Sequence, residues 1–162
     1  MKVQLVDRSS KTIAYLRHLG PYGAPISSFW QKEVYPWMAE NRLLGHPRYG
    51  ISHDDPSITA PKKCRYDAGI EVASDFVTSG KVLKTTLPAG KYAVLRFKGT
   101  VEQIPAAWAA LLRDWLPSSG MQLDARPAFE HYPKGSTYDS KTGVFDCEIC
   151  VPVTPLRVGS VT

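Results

Sequence analysis

Ala14-Tyr15-Leu16-Arg17-His18-Leu19-Gly20 returns 79 residues later as Ala93-Val94-Leu95-Arg96-Phe97-Lys98-Gly99, with Ala, Leu, Arg and Gly identical. At the same offset Asp67-Ala68-Gly69-Ile70-Glu71-Val72 meets Asp146-Cys147-Glu148-Ile149-Cys150-Val151. Between these stretches Trp30 and Trp37 answer Trp108 and Trp115, seven residues apart in both halves at an offset of 78. The chain therefore reads as two fused copies of one unit, repeated at about 12–73 and 91–153 within a single domain spanning 1–162.

Working outward, the pattern within each copy is strand–helix–strand–strand. Residues 11–19 form the first repeat strand, closed by the turn cluster Gly20-Pro21-Tyr22-Gly23. Pro25 suits the first turn of a helix. Ile26, Phe29, Trp30, Glu33, Trp37 and Met38 give that helix its stripe. Pro36 within the stripe predicts a kink or split near Val34. Strands follow at 47–52 and 63–73. In the latter, Tyr66, Ala68, Ile70 and Val72 alternate with Arg65, Asp67 and Glu71, which predicts one buried face and one wet face.

The second half repeats the pattern. Residues 82–87 and 91–97 flank Pro88-Ala89-Gly90 as a hairpin. Thr100-Val101-Glu102-Gln103 has the form of a capping box, and Ile104, Trp108, Leu111 and Trp115 line the helix after it. Strands follow at 127–132 and 143–153. Residues 3–6 add an edge strand, and the tail from Pro155 is expected to fray. The expected fold class is α+β: tandem strand–helix–strand–strand repeats, an antiparallel sheet with two helices on one face, and a pseudo-twofold relating the halves.

Arg126-Pro127-Ala128-Phe129-Glu130-His131-Tyr132 carries the chemistry. At the repeat offset Glu130 falls on Ile51. Tyr49 and Ile51 share one side of their strand, so the first copy predicts an inward position and the second puts a carboxylate there. A buried carboxylate must raise its pKa or find a partner. Three roles are open to Glu130: a structural salt bridge, for instance to Arg17 or Arg96; a catalytic acid or base; and a binding carboxylate. Trp37, Trp108, Tyr49, Tyr66, Phe145 and Tyr132 are expected on the helix-facing side and support the third. A carboxylate with aromatic walls suits a delocalised organic cation. Each aromatic taken singly reads first as an ordinary core residue.

Composition excludes several classes. No apolar run approaches the roughly 18 residues of a membrane span, and no signal-peptide pattern opens the chain, so a cytoplasmic protein is expected. The net charge of +5 is scattered over the sequence, which reads as a solvated surface rather than a nucleic-acid footprint. His53-Asp54-Asp55 offers too few converging ligands for a metal. Cys147 and Cys150 spell C-x-x-C, but residues three apart on a strand face opposite ways. Neither a metal nor a cofactor is expected.

Taken together, certain stretches resemble the GyrI-like small-molecule-binding domain, which also serves as the effector domain of AraC-type and MerR-type regulators. The carriers are Tyr15-Leu16-Arg17-His18-Leu19-Gly20-Pro21-Tyr22, Tyr49-Gly50-Ile51-Ser52-His53-Asp54-Asp55-Pro56 and Cys64-Arg65-Tyr66-Asp67. Pro88-Ala89-Gly90-Lys91-Tyr92-Ala93-Val94 and Phe129-Glu130-His131-Tyr132 continue the same order through the second half. The resemblance implies a central cavity between the halves. It also implies that Glu130 matches the family's pocket carboxylate, which in multidrug-sensing members meets aromatic cations.

The leading expectation is a binding module for a small aromatic or cationic molecule, acting as sensor or sequestering protein. The resemblance also implies two alternatives. One is inhibition of DNA gyrase by protein contact. The other is hydrolysis of strained small molecules, with Glu130 as base or nucleophile and Tyr132 or Tyr49 as proton donor. Regulators of the family carry a helix-turn-helix domain ahead of this unit, for which 162 residues leave no room.

Overall fold

The computed structural model describes residues 1–157. Its strands are β1 (Val3–Arg8), β2 (Lys11–Leu19), β3 (Arg48–Ser52), β4 (Arg65–Glu71), β5 (Leu83–Leu87), β6 (Gly90–Gly99), β7 (Met121–Leu123), β8 (Phe129–Tyr132) and β9 (Phe145–Pro155). Helix α1 covers residues 24–40 and α2 residues 104–118. The main sheet runs β1-β6-β9-β8-β3-β4-β2-β5, antiparallel throughout, with β7 attached to the far end of β9. The order reads the same from either end once the halves are exchanged, which is the expected pseudo-twofold. Its axis passes between β3 and β8.

Both helices pack on one face. Helix α1 covers Ala14, Leu16, Tyr66, Ala68 and Ile70 through Phe29, Val34 and Met38. Helix α2 covers Ala93, Leu95, Ile149 and Val151 through Ile104 and Leu111. Both helices also widen to π-helical turns, at Trp30–Val34 and Ala110–Trp115. In α1 that turn ends just before Pro36, whose missing N–H and bulky ring cannot continue a regular α-ladder. The helix resumes at Tyr35, so the predicted interruption at Val34 is a wide turn and not a break.

The other face carries no helix, yet Ile13, Tyr49, Ile51, Tyr92, Val94, Phe129 and Cys150 are buried on it. Connectivity explains how. β1 and β2 are joined through Ser9 and Ser10 alone, and β5 and β6 through Pro88 and Ala89 alone, yet each pair sits toward opposite ends of the strand order. Two residues cannot span a flat sheet of eight strands. The sheet therefore curls into a half-barrel that encloses this second core.

The curl overturns two expectations. Residues 82–87 do not form a hairpin with β6. They cross to pair with β2, Lys11 opposite Leu87, while β1 pairs with β6, so the halves exchange their leading strands. Nor does β4 have a wet face: Asp67 and Gly69 on its second side are as buried as Ala68 and Ile70. Strand β7 was not anticipated; Met121 pairs with Pro155, and Leu156 N–H donates to Gly120 O at 2.8 Å. The expected fraying of the tail concerns residues largely outside those described.

Candidate functional site

The ladders correct the alignment of the halves. Arg17 stands opposite Asp67 in β2–β4, and Arg96 opposite Glu148 in β6–β9. Asp67 thus corresponds to Glu148, not Asp146. Next to them, Ile51 faces Asp67 while His131 faces Glu148. The structural counterpart of Ile51 is therefore His131, and that of Glu130 is Gly50. Gly50 and Glu130 are also direct cross-strand partners at the seam. Because side chains alternate along a strand, this one-residue difference changes the face. Glu130 points to the helix side, and Tyr49 and Ile51 point into the half-barrel.

Around Glu130 the helix side is aromatic. The Tyr132 hydroxyl donates to Glu130 Oε2 at 3.3 Å. Tyr66 lies on the same face, and the Trp30 indole N–H donates to its hydroxyl at 3.0 Å. Gly50 makes this possible, since a Cβ there would sit 2.5 Å from the Tyr66 hydroxyl oxygen. Trp108, the repeat mate of Trp30, reaches the carboxylate from α2. Phe145 packs against Tyr132 with ring centroids 6.2 Å apart.

Burial is the main influence on Glu130. It pushes the carboxyl up to about 7, against the smaller opposing effect of hydrogen bonds from Trp108 and Tyr132. The side chain is enclosed but still half-buried by accessible surface, as expected of a group lining an internal space. Among the described residues no ion pair involves Glu130. Arg17, one candidate partner, instead holds Asp67 through bonds of 2.8 and 3.0 Å. Arg48, a cation on the same face, donates to the Tyr35 hydroxyl at 2.6 Å and to Ser136 Oγ at 2.9 Å. Its guanidinium also lies 5.3 Å from the Tyr132 ring centroid. Tyr66 and Tyr132 are both held protonated by burial and then by the charge of Glu130.

Of the residues singled out by sequence, Glu130, Trp108, Tyr66 and Tyr132 come together, with Phe145 behind Tyr132. Two do not join them. Tyr49 lies on the other face, donates to Glu71 Oε1 at 2.7 Å and stacks on His131 at 4.8 Å. Trp37 packs edge-on against Phe76 at 6.2 Å. Trp30 takes the place expected for Trp37. The repeat carried that signal, because Trp30 and not Trp37 aligns with Trp108. Glu130 lines neither the depression beside Tyr49 and His131 nor the one beside Tyr35 and Arg48.

The remaining candidates are structural. His53 Nε2 lies 2.6 Å from Asp67 Oδ2, Asp54 pairs with Arg65, and Asp55 accepts from the Ser57 N–H and hydroxyl. Among the described residues no three His, Cys, Asp or Glu side chains converge as a metal site would require. Cys147 packs on the helix side and Cys150 within the half-barrel. Among the described residues no helix is long and apolar enough to cross a membrane.

Comparison with known proteins places this geometry in context. The family model for the GyrI-like small molecule binding domain matches residues 1–154. The chain is 31% identical to a DNA gyrase inhibitor of Serratia proteamaculans (strain 568), covering 92% of this chain and 96% of that protein. It is 29% identical to the SPbeta prophage-derived putative transcriptional regulator YosT of Bacillus subtilis (strain 168), covering 94% and 99%. Among solved structures it resembles SAV2435 bound to tetraphenylphosphonium, with a TM-score of 0.65 at 20% identity, covering 95% of this chain and 94% of that one.

Proposed function

The chain belongs to the GyrI-like small molecule binding domain family, and we propose that it binds an aromatic cation beside Glu130, as a sensor or sequestering module. One observation carries this reading: a carboxylate enclosed by Trp108, Tyr132 and Tyr66 without a cationic partner among the described residues. An ionised carboxylate left in such a setting is costly, and a bound cation offsets that cost while the rings offer their negative faces. Arg48 over Tyr132 is an internal example of the same chemistry. The relative SAV2435 bound to tetraphenylphosphonium supports the ligand class.

The test compares tetraphenylphosphonium with neutral triphenylphosphine oxide by tryptophan fluorescence, on the parent chain and on Glu130→Gln. The variant is expected to lose about 1.5–3 kcal/mol of affinity for the cation, the scale of an interaction with a charged group, and much less for the neutral compound. Equal losses for both compounds would overturn the reading.

We read this as a binding site first. The hydrolytic alternative keeps Glu130 as base and Tyr132, held protonated by burial and the neighbouring carboxylate, as proton donor, and an assay of Glu130→Gln against strained electrophiles checks it. Identity with the Serratia gyrase inhibitor favours a second reading, contact with DNA gyrase. A supercoiling assay with and without this chain checks it.

A further inference from the structure

The half-barrel has two mouths related by the pseudo-twofold, and they are built differently. At one, Arg126 lies across the opening: its Nη2 donates to Lys91 O at 2.8 Å and Val153 O at 3.3 Å, and its guanidinium sits 4.6 Å from the Tyr92 ring centroid. Gly90 permits this, because a Cβ there would run into the guanidinium. At the other mouth the position equivalent to Gly90 is Lys11: Lys11 pairs with Leu87 as Gly90 pairs with Arg8. The counterpart of Arg126 at the offset that pairs Ile51 with His131 is His46, whose Nδ1 lies 2.8 Å from Glu71 O. What remains is an open depression of about 380 Å³, floored by Tyr49 and His131.

Its lining holds three cations, Arg8, Lys11 and Lys134, against two carboxylates, Asp7 and Glu71. The Arg8 side chain is only 15% exposed, yet among the described residues its one carboxylate contact is Glu148 at 4.0 Å; its guanidinium also lies over the Phe129 ring. Lys11 and Lys134 line the depression and have no ion pair among the described residues. Of the acids nearby, Asp7 is drawn to Lys91 at 3.3 Å and Glu148 lies 2.7 Å from His131 Nδ1, whereas Glu71 accepts the neutral Tyr49 hydroxyl and keeps its charge. His131 Nε2 has no partner among the described residues. A depression of this size suits a small organic molecule. A largely buried guanidinium with two lysines at the rim suits an oxyanion on it.

We propose that this open mouth is a second binding site, on the opposite side of the sheet from Glu130, for a small molecule bearing a carboxylate or phosphate. Arg8 supplies the fork, Lys11 and Lys134 the rim charge, and His131 a ring nitrogen. The site does not depend on the cation-binding reading, because no residue is shared between the two.

Calorimetric titration of the whole chain at low salt with inorganic phosphate, and separately with benzoate, tests it. Saturable binding of phosphate alone assigns phosphate esters, and of benzoate alone organic carboxylates; binding of both assigns the oxyanion in general. Arg8→Gln is expected to weaken binding tenfold or more, the counterpart of one charge-assisted hydrogen bond. Glu130→Gln is expected to leave it unchanged. Should Arg8→Gln fail to fold, the Lys11→Ser, Lys134→Ser double variant decides by the same loss, with a weaker dependence on salt. Binding of neither probe overturns the proposal. So does binding that survives the mouth variants, or binding that changes with Glu130→Gln.

Discussion

Glu130 stands directly across the ladder from Gly50, its own counterpart in the other half. The seam that the pseudo-twofold makes equivalent is thus chemically one-sided, a carboxylate on one strand and a bare Cα on the other. The glycine is needed for space, since Tyr66 from β4 fills the volume that its Cβ would take.

Gly50→Ala should therefore displace Tyr66 and break its bond with Trp30. The expected cost is about 1–3 kcal/mol, the range for overpacking a filled core. Chemical denaturation with an unchanged m-value checks it; a neutral outcome would mean that Tyr66 has room to move.

Trp30→Phe removes the indole N–H from Tyr66, whereas Trp37→Phe alters only packing on Phe76. Trp30→Phe should weaken tetraphenylphosphonium binding by about 0.5–1.5 kcal/mol, the net worth of one hydrogen bond, and Trp37→Phe by less. Matched affinity titrations of the two variants separate them. The reverse order would restore the sequence-based choice of Trp37.

Inside the half-barrel Asp67 holds Arg17 and His53 at once. Burial raises its carboxyl, but these two bonds reverse the effect and leave it below the usual carboxylate range. Its contribution is then present above the unfolded carboxylate pKa and lost as pH falls through the lower folded value. Asp67→Asn should destabilise by about 2–4 kcal/mol at neutral pH, somewhat under a fully buried pair because Arg17 is partly exposed. The gap to the parent should narrow in acid, as followed by urea melts across pH.

Much of this was legible in the chain because the repeat constrains so many residues together. Matching tryptophans and the Arg-Gly strand ends fixed the unit, its antiparallel sheet and the side that holds the helices. Registration was harder to read. The offset between the halves drifts along the chain, from 79 at Arg17 and Arg96 to 80 at Ile51 and His131 and 81 at Asp67 and Glu148, a slip that identity alone does not reveal. A slip of one residue sent Tyr49 to the wrong face. The π-turn between Trp30 and Trp37 likewise spoils the expectation that residues seven apart share a side. The exchange of β1 and β5 left no local mark, since the link Pro88-Ala89 followed by Gly90 suits a hairpin equally well.

The last prediction turns on the Glu130 carboxyl, raised by burial to about 7. Between the unfolded carboxylate value near 4.3 and this folded value, the native state binds a proton that the unfolded chain has released. Stability from this group is therefore full below the unfolded value and declines as pH rises to about 7, by an amount on the order of 3 kcal/mol. Above that it is constant. Glu130→Gln removes the titration, so the variant should match the parent near pH 4 and be the more stable of the two above about pH 7. Urea denaturation of both proteins across this range checks it. A bound cation reverses the balance, because it favours the ionised form: tetraphenylphosphonium affinity should rise with pH and level off above about 7. In Glu130→Gln that rise should vanish. A parent chain whose cation affinity is flat with pH, while its stability falls as described, would mean that the cation binds away from this carboxylate.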